Sequence, residues 1–232
     1  MSTLMFFGLL AEIAHSESSG FDPLLVNFGR SAKSYEGDHD FRQVIRISVP
    51  DERAEPLYFQ VFDAQISGLH DELQGRANSR TVYSLFGADS TAVVMSDGPG
   101  KHREKITGRA LQELTIGREK KYEGNWISLF EFEASEGHFD NGRRHFFVFV
   151  DGGTGNDGNV FDVRLSNRPD EMVQPQDAKL YTHLPTFRVP QGQNLTELTF
   201  ETPDPLEQLT IESFDAPESD INFNSQFQSR KL

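Results

Sequence analysis

The sequence predicts an all-β protein: an antiparallel β-sandwich of jelly-roll-like character, followed by a partial second β module related to the first. Three observations carry this expectation. Short segments rich in Phe, Val and Ile alternate apolar and polar residues with period two. Clusters of Gly, Asp, Asn and Pro separate them at the spacing of a sandwich. One stretch is also echoed about 152 positions later, from Ala64 to Ala216.

Taken in order, residues 1–19 read as the remnant of a signal peptide and a flexible start. Leu4 to Leu10 is apolar, and Ala14-His15-Ser16 has the small-x-small form of a cleavage site, although no Lys or Arg precedes it. The competing reading is an ordinary first strand or short helix. Residues 20–166 are expected to form the sandwich domain. Phe41 to Val49 places Phe41, Ile45, Ile47 and Val49 on one face and Arg42, Arg46 and Ser48 on the other, as in a half-buried strand. Leu57–Phe62 and Thr81–Phe86 follow as strands. Gly108–Ile116 fits a helical turn or a strand equally. Trp126–Phe132 alternates, with Trp126, Phe130 and Phe132 on the core side. Arg143–Val150 ends in an apolar Phe-Phe-Val-Phe-Val run, as in a central strand covered on both faces. Val160–Leu165 alternates again.

Residues 167–181 are polar, contain two prolines and read as a linker. Residues 182–232 read as the partial second module. In the internal match, Ile47 to Ala64 and Phe200 to Ala216 share a strand ending in Pro-Asp, an acidic turn, a second strand and Phe-Asp-Ala.

Composition bounds the function. The chain has 232 residues, 22 Lys+Arg against 36 Asp+Glu, and a net charge of −14. Such acidity excludes a nucleic-acid binder that works by neutralising phosphates, and argues against anionic membranes. No apolar run reaches the roughly 20 residues of a membrane span. The absence of cysteine excludes disulfides, thiolate metal sites and a cysteine nucleophile.

Asp151 to Asn159 (DGGTGNDGN) is the most specific local feature. Four glycines permit a tight, irregular path, and Asp151, Asn156, Asp157 and Asn159 offer the hard oxygen donors that calcium selects. These four residues are the expected metal ligands, with calcium the expected ion. The alternative is a Gly/Asn hairpin whose side chains bond their own backbone. Glu131 and Glu133 share a strand face beside aromatics, a pairing that could serve a glycosidase but also suits a solvated face. His39 between two aspartates, and the His138 to His145 stretch, are candidates for bases or ligands, with turn-borne surface histidines the ordinary reading.

Gly37-Asp-x-x-Phe41, Ile47-x-Val49-Pro50 and Leu57-x-Phe59-x-Val61-x-Asp63 together resemble the start of bacterial pre-peptidase C-terminal-type modules. The likeness covers roughly 25 residues, and Leu69–Arg80 is longer than that pattern. It implies an extracellular, non-catalytic sandwich attached to a secreted enzyme, and carries over no catalytic residue.

The sequence therefore leads to a secreted, periplasmic or cell-surface binding module. Calcium would pin the 151–159 loop, and the loops would be presented to a glycan or a protein surface, for which a cationic partner would suit the charge. The alternatives are a jelly-roll carbohydrate-active enzyme using paired carboxylates, and a spacer module of a larger surface protein.

Overall fold

The computed structural model describes residues 10–12, 25–32, 42–74, 76, 78–98, 101–183, 186–188, 199–201, 222–224 and 229–231. In chain order the strands begin with β1 (Leu10–Glu12), β2 (Leu25–Phe28), β3 (Arg42–Pro50), β4 (Leu57–Phe62) and β5 (Arg80–Phe86). Next come β6 (Thr91–Gly98), β7 (Lys101–Thr107), β8 (Ala110–Ile116), β9 (Trp126–Phe132) and β10 (His138–Asp140). The chain continues with β11 (Arg143–Thr154), β12 (Gly158–Ser166), β13 (Lys179–Thr182), β14 (Thr199–Glu201), β15 (Asn222–Asn224) and β16 (Ser229–Lys231). The first sheet runs β14-β1-β13-β3-β11-β5-β8, with β10 also paired to β11; the second runs β2-β12-β4-β9. Two hairpins, β6–β7 and β15–β16, complete the described strands. Neighbours in both sheets are antiparallel, so the fold is an all-β sandwich as the alternation predicts.

The sheets meet through their period-two faces. Ile45, Ile47 and Val49 of β3, Phe146, Val148 and Val150 of β11, and Tyr83 and Leu85 of β5 face one way. Leu57, Phe59 and Val61 of β4 and Phe161, Val163 and Leu165 of β12 oppose them. Rings close the gap between layers: Phe132 lies 4.6 Å from Phe146, and Tyr83 meets Phe161 edge-on at 6.0 Å. A phenylalanine-rich core explains how a chain only 36% hydrophobic packs, since each buried ring removes roughly 150–250 Å² from water.

Several expectations are refined by tertiary context. Strand β11 lies between β3 and β5, and the outward rings of Phe147 and Phe149 sit beneath Arg46 and Arg42. Strand β3 is covered on both faces rather than half-buried: Val44, Arg46 and Ser48 on its outer side are all buried. The reason is β7, whose Glu104 reaches Arg46 at 2.5 Å. The undecided 108–116 segment is edge strand β8, with an irregularity in its pairing to β5 that leaves Leu111 exposed.

Residues 167–181, expected as a linker, are held to the sandwich. Arg53 donates to Asn167 and Asp177, Arg143 donates to the Asp177 carbonyl, and Gln60 Nε2 donates to the carbonyls of Arg168 and Pro169. The expected boundary at 181/182 falls inside β13, which pairs with β3 in the first sheet. The second-module segment 199–201 joins the same sheet through β1, the short strand within the expected signal remnant. The Pro-Asp turn and Phe-Asp-Ala of the second repeat lie outside the described residues, as do Gly37 and His39.

Candidate functional site

Residues 155–157 carry the chain from β11 in the first sheet to β12 in the second, so the expected calcium loop is a crossover at one end of the sandwich. Its glycines are required by close approach. Gly155 has φ +81°, and a Cβ there would lie 2.1 Å from Ser79 Oγ; at Gly152 a Cβ would lie 1.9 Å from the Phe28 carbonyl oxygen.

The four expected ligands do not share one centre. Asp151 accepts from Arg30 Nε (3.1 Å) and Nη2 (2.6 Å) and from Arg42 Nε (3.2 Å). Asp157 accepts from the N–H groups of Gln74, Asn78 and Ser79 at 3.0–3.2 Å, and from Ser79 Oγ at 2.7 Å. Asn156 donates outward to the Gln74 carbonyl. Asn159 turns into the core, donating to Thr81 Oγ1 (2.9 Å) and Tyr83 OH (3.1 Å). The carboxylates thus clamp neighbouring segments. Burial opposes the charge of Asp157, yet its four donors hold the carboxyl below the usual range. Among the described residues no three His, Asp or Glu side chains are grouped to hold a metal ion.

Beside this loop lies an acid that the sequence gives little reason to single out. Asp71, in the 63–79 segment, accepts from Val160 N and Gly68 N at 2.8 Å. Burial pushes its carboxyl up to about 7, helped by the charge of Asp63 and resisted by those N–H groups. Asp63 is itself buried, has φ +54° and accepts from Gly124 N, and burial raises its carboxyl as well. A raised acid keeps its proton in the folded state, so folding is favoured below the unfolded value of 3.8 and weakens as pH rises towards 7. The slope has an upper bound of about 1.4 kcal/mol per pH unit, reduced by partial solvent access. Asp71→Asn is expected to flatten the stability profile between pH 4 and 7, whatever its constant cost. Chemical denaturation across that range checks this; an unchanged slope refutes the assignment.

The outer face of the second sheet is the other concentration of functional groups. Strand β9 carries an irregularity: Phe59 pairs with Phe130 but Gln60 pairs with Ser128, leaving Leu129 as the extra residue of a bulge. The bulge reverses side-chain parity, so Phe130 and Phe132 stay in the core while Trp126 moves to the outer face. This corrects the core placement that strict alternation gives Trp126. Trp126 is partly exposed, pairs across the strand with Phe62 (ring centroids 5.6 Å apart), and is covered on one side by Arg164 at 4.0 Å. His70 lies 6.1 Å from Phe62. Arg164 Nε donates to Gln60 Oε1 at 2.6 Å.

The other candidates separate. Glu131 is exposed and accepts from Tyr58 OH, whereas Glu133 closes a capping box with Glu136 at a short 3-10 turn. They are not a facing acid pair. His138 contacts the Ala88 carbonyl, and His145 sits opposite it across the β10–β11 pair. Compared with known proteins, the chain matches no family model, no curated protein and no solved structure.

Proposed function

We propose that the protein is a secreted or envelope-associated, non-catalytic β-sandwich module that binds glycans on the outer face of its second sheet. The observation that carries this reading is the outward displacement of Trp126 by the Leu129 bulge, which lays an indole beside Phe62 on a strand face otherwise polar. Bulges commonly re-aim a side chain for use rather than for packing. The indole and the phenyl, inclined at 53° to each other, offer apolar contact to the C–H face of a pyranose, and a sheet supplies a rigid support for it. Glu131 and Glu133 each have their own partners, which weighs against their acting as one catalytic pair in the enzyme alternative, whose other candidate, His39, lies outside the described residues. Calcium is not required for this face, because the 151–159 loop lies at the end of the sandwich and uses its carboxylates as clamps.

Trp126 is the only tryptophan in the chain, so its emission reports on this face alone. Titration with soluble oligosaccharides is expected to shift or quench that emission saturably, and Trp126→Ala is expected to abolish binding measured by calorimetry while the fold is retained. Binding that persists in Trp126→Ala, or no response to any saccharide class, refutes the reading.

A further inference from the structure

We infer that Asp63, Asp71 and Asn159 form a calcium site beside the 155–157 crossover, separate from the carboxylates of the loop itself. The inference is independent of the glycan-binding reading.

Two buried oxygens here have no hydrogen-bond donor. Asp63 is 0% exposed; its Oδ1 accepts from Gly124 N at 2.9 Å, while its Oδ2 is unmatched. Asn159 is also 0% exposed, and its Nδ2 faces Thr81 Oγ1 (2.9 Å), Tyr83 OH (3.1 Å) and the Ala64 carbonyl (3.5 Å). A backbone carbonyl can only accept, so the amide nitrogen belongs on that side and Oδ1 is turned away from it, again unmatched. Buried polar atoms are nearly always paired, so two acceptors without donors mark a place for a cation or a donor that the chain does not itself supply.

Asn159 connects the two acids. Its amide approaches the carbonyl of Ala64, the neighbour of Asp63, and the next backbone N–H, that of Val160, holds Asp71 Oδ1 at 2.8 Å. The Tyr83 hydroxyl that Asn159 contacts feels the charges of both Asp71 and Asp63, and the charge of Asp63 acts on Asp71. Two carboxylates in one desolvated place call for a counter-charge. Among the described residues, however, the arginine ion pairs go to Asp151, Glu104, Asp177 and Asp51. Beyond His70, which eases the charge of Asp63, no basic side chain is drawn to either acid.

The donor set selects the ion. Every ligand is a hard oxygen, and the third is an amide rather than an acid or a histidine, which suits calcium and not zinc. Two carboxylates, binding through one or two oxygens each, and one amide oxygen supply roughly three to five of the six to eight oxygens that calcium takes; backbone carbonyls and water complete the set. Magnesium demands near-ideal octahedral geometry, and carboxylates already fixed by the N–H groups of Gly124, Val160 and Gly68 have little freedom to provide it. A bound ion fastens the 63–72 segment to β12, adding to the backbone pairing of Glu72 with Gly158.

The test uses the full chain, stripped with EDTA and dialysed, with calcium chloride as the probe and magnesium chloride as the control at 0.15 M salt. Calorimetric titration is expected to give one calcium per chain, and the melting temperature is expected to rise by about 5 °C or more near saturation. Magnesium is expected to bind at least about 10-fold more weakly. Asp63→Asn keeps the backbone, because φ +54° suits Asn as well as Asp, but removes a charge. It is expected to weaken calcium at least about 10-fold, since affinity follows the charge of the ligands. Asp71→Asn is expected to do the same and carries the test if Asp63→Asn does not fold. Asp157→Ala is expected to keep the calcium-induced rise in full. Absence of calcium binding in wild type overturns the proposal and leaves the two oxygens to buried water. Binding that both acid variants retain, or that Asp157→Ala loses, places the ion elsewhere and overturns it as well. Equal affinity for magnesium overturns the choice of ion.

Discussion

Asp157→Ala is expected to lower the stability of the fold by about 3–4 kcal/mol, the consequence of leaving several donors to a charged acceptor unsatisfied. The carboxylate of Asp157 gathers three backbone N–H groups and the Ser79 hydroxyl, so it ties the 74–79 segment to the crossover between the sheets. In a domain of this size that loss is roughly a 10 °C fall in melting temperature. The sign of the pH dependence follows from the depressed carboxyl. A group held below its unfolded value contributes stability that is present above that value and is lost as pH falls through the folded one. The gap between wild type and Asp157→Ala should therefore close on acidification below about pH 4.

The same variant also separates the clamp from a calcium site. Ion binding to the native state raises stability by RT ln(1 + [L]/Kd), about 2.7 kcal/mol at 100 Kd. With the Asp157 oxygens occupied by protein donors and Asp151 flanked by two guanidiniums, the difference between wild type and variant is expected to be equal in EDTA and in millimolar calcium. A calcium-specific rise in the melting temperature of wild type that disappears in Asp157→Ala would establish the loop as a metal site instead.

The Asp151–Asn159 loop also shows where sequence reading reaches its limit. Its glycines and oxygen donors correctly mark an irregular, tightly constrained path. What they cannot mark is the partner, because Arg30 and Ser79 arrive from segments 121 and 78 positions away. Strands fare better: Leu57–Phe62 and Trp126–Phe132 are legible to the residue, because burial of one sheet face imposes period two on the side chains. Within the second of these, Leu129 breaks the rule. Strict alternation would set Ile127 and Leu129 on the same face as Glu131, and that awkward mixture was the available sign of a bulge. Asp71 left no comparable trace; a single acid in a polar loop reads as solvated until Val160 and Gly68 are seen to surround it. Strands β6 and β7 were missed for a related reason. The charged run Lys101–Thr107 lacks a hydrophobic face of its own, and its order comes from pairing along the hairpin and from Glu104 meeting a buried arginine.

That arginine is the site of the second large effect. Arg46 and Glu104 are 8% and 4% exposed, and their contact is the ionic link between the β6–β7 hairpin and the outer face of β3. His183 stands 3.9 Å from the same carboxylate oxygen, but burial, with Arg46 adding to it, lowers its pKa to about 4, so at neutral pH it brings no positive charge. Removing either partner leaves an uncompensated charge in a desolvated place, and Arg46→Met or Glu104→Leu alone is expected to cost about 3–5 kcal/mol. The double variant Arg46→Met/Glu104→Leu should recover most of that loss, since apolar groups of similar size replace an ion pair at little net cost. Burial already raises the Glu104 carboxyl against the pull of Arg46. Without the arginine it rises further, so Glu104 in Arg46→Met takes up a proton on mild acidification and the deficit of that variant narrows as pH falls. Urea unfolding of the four proteins at pH 7 and pH 5 reads both effects. Single variants costing under about 1 kcal/mol, with no difference between the two pH values, would mean that the hairpin swings clear and the pair is solvated. The expected coupling instead makes the hairpin a fixed cover, so that a strand with an amphipathic sequence is buried on both sides.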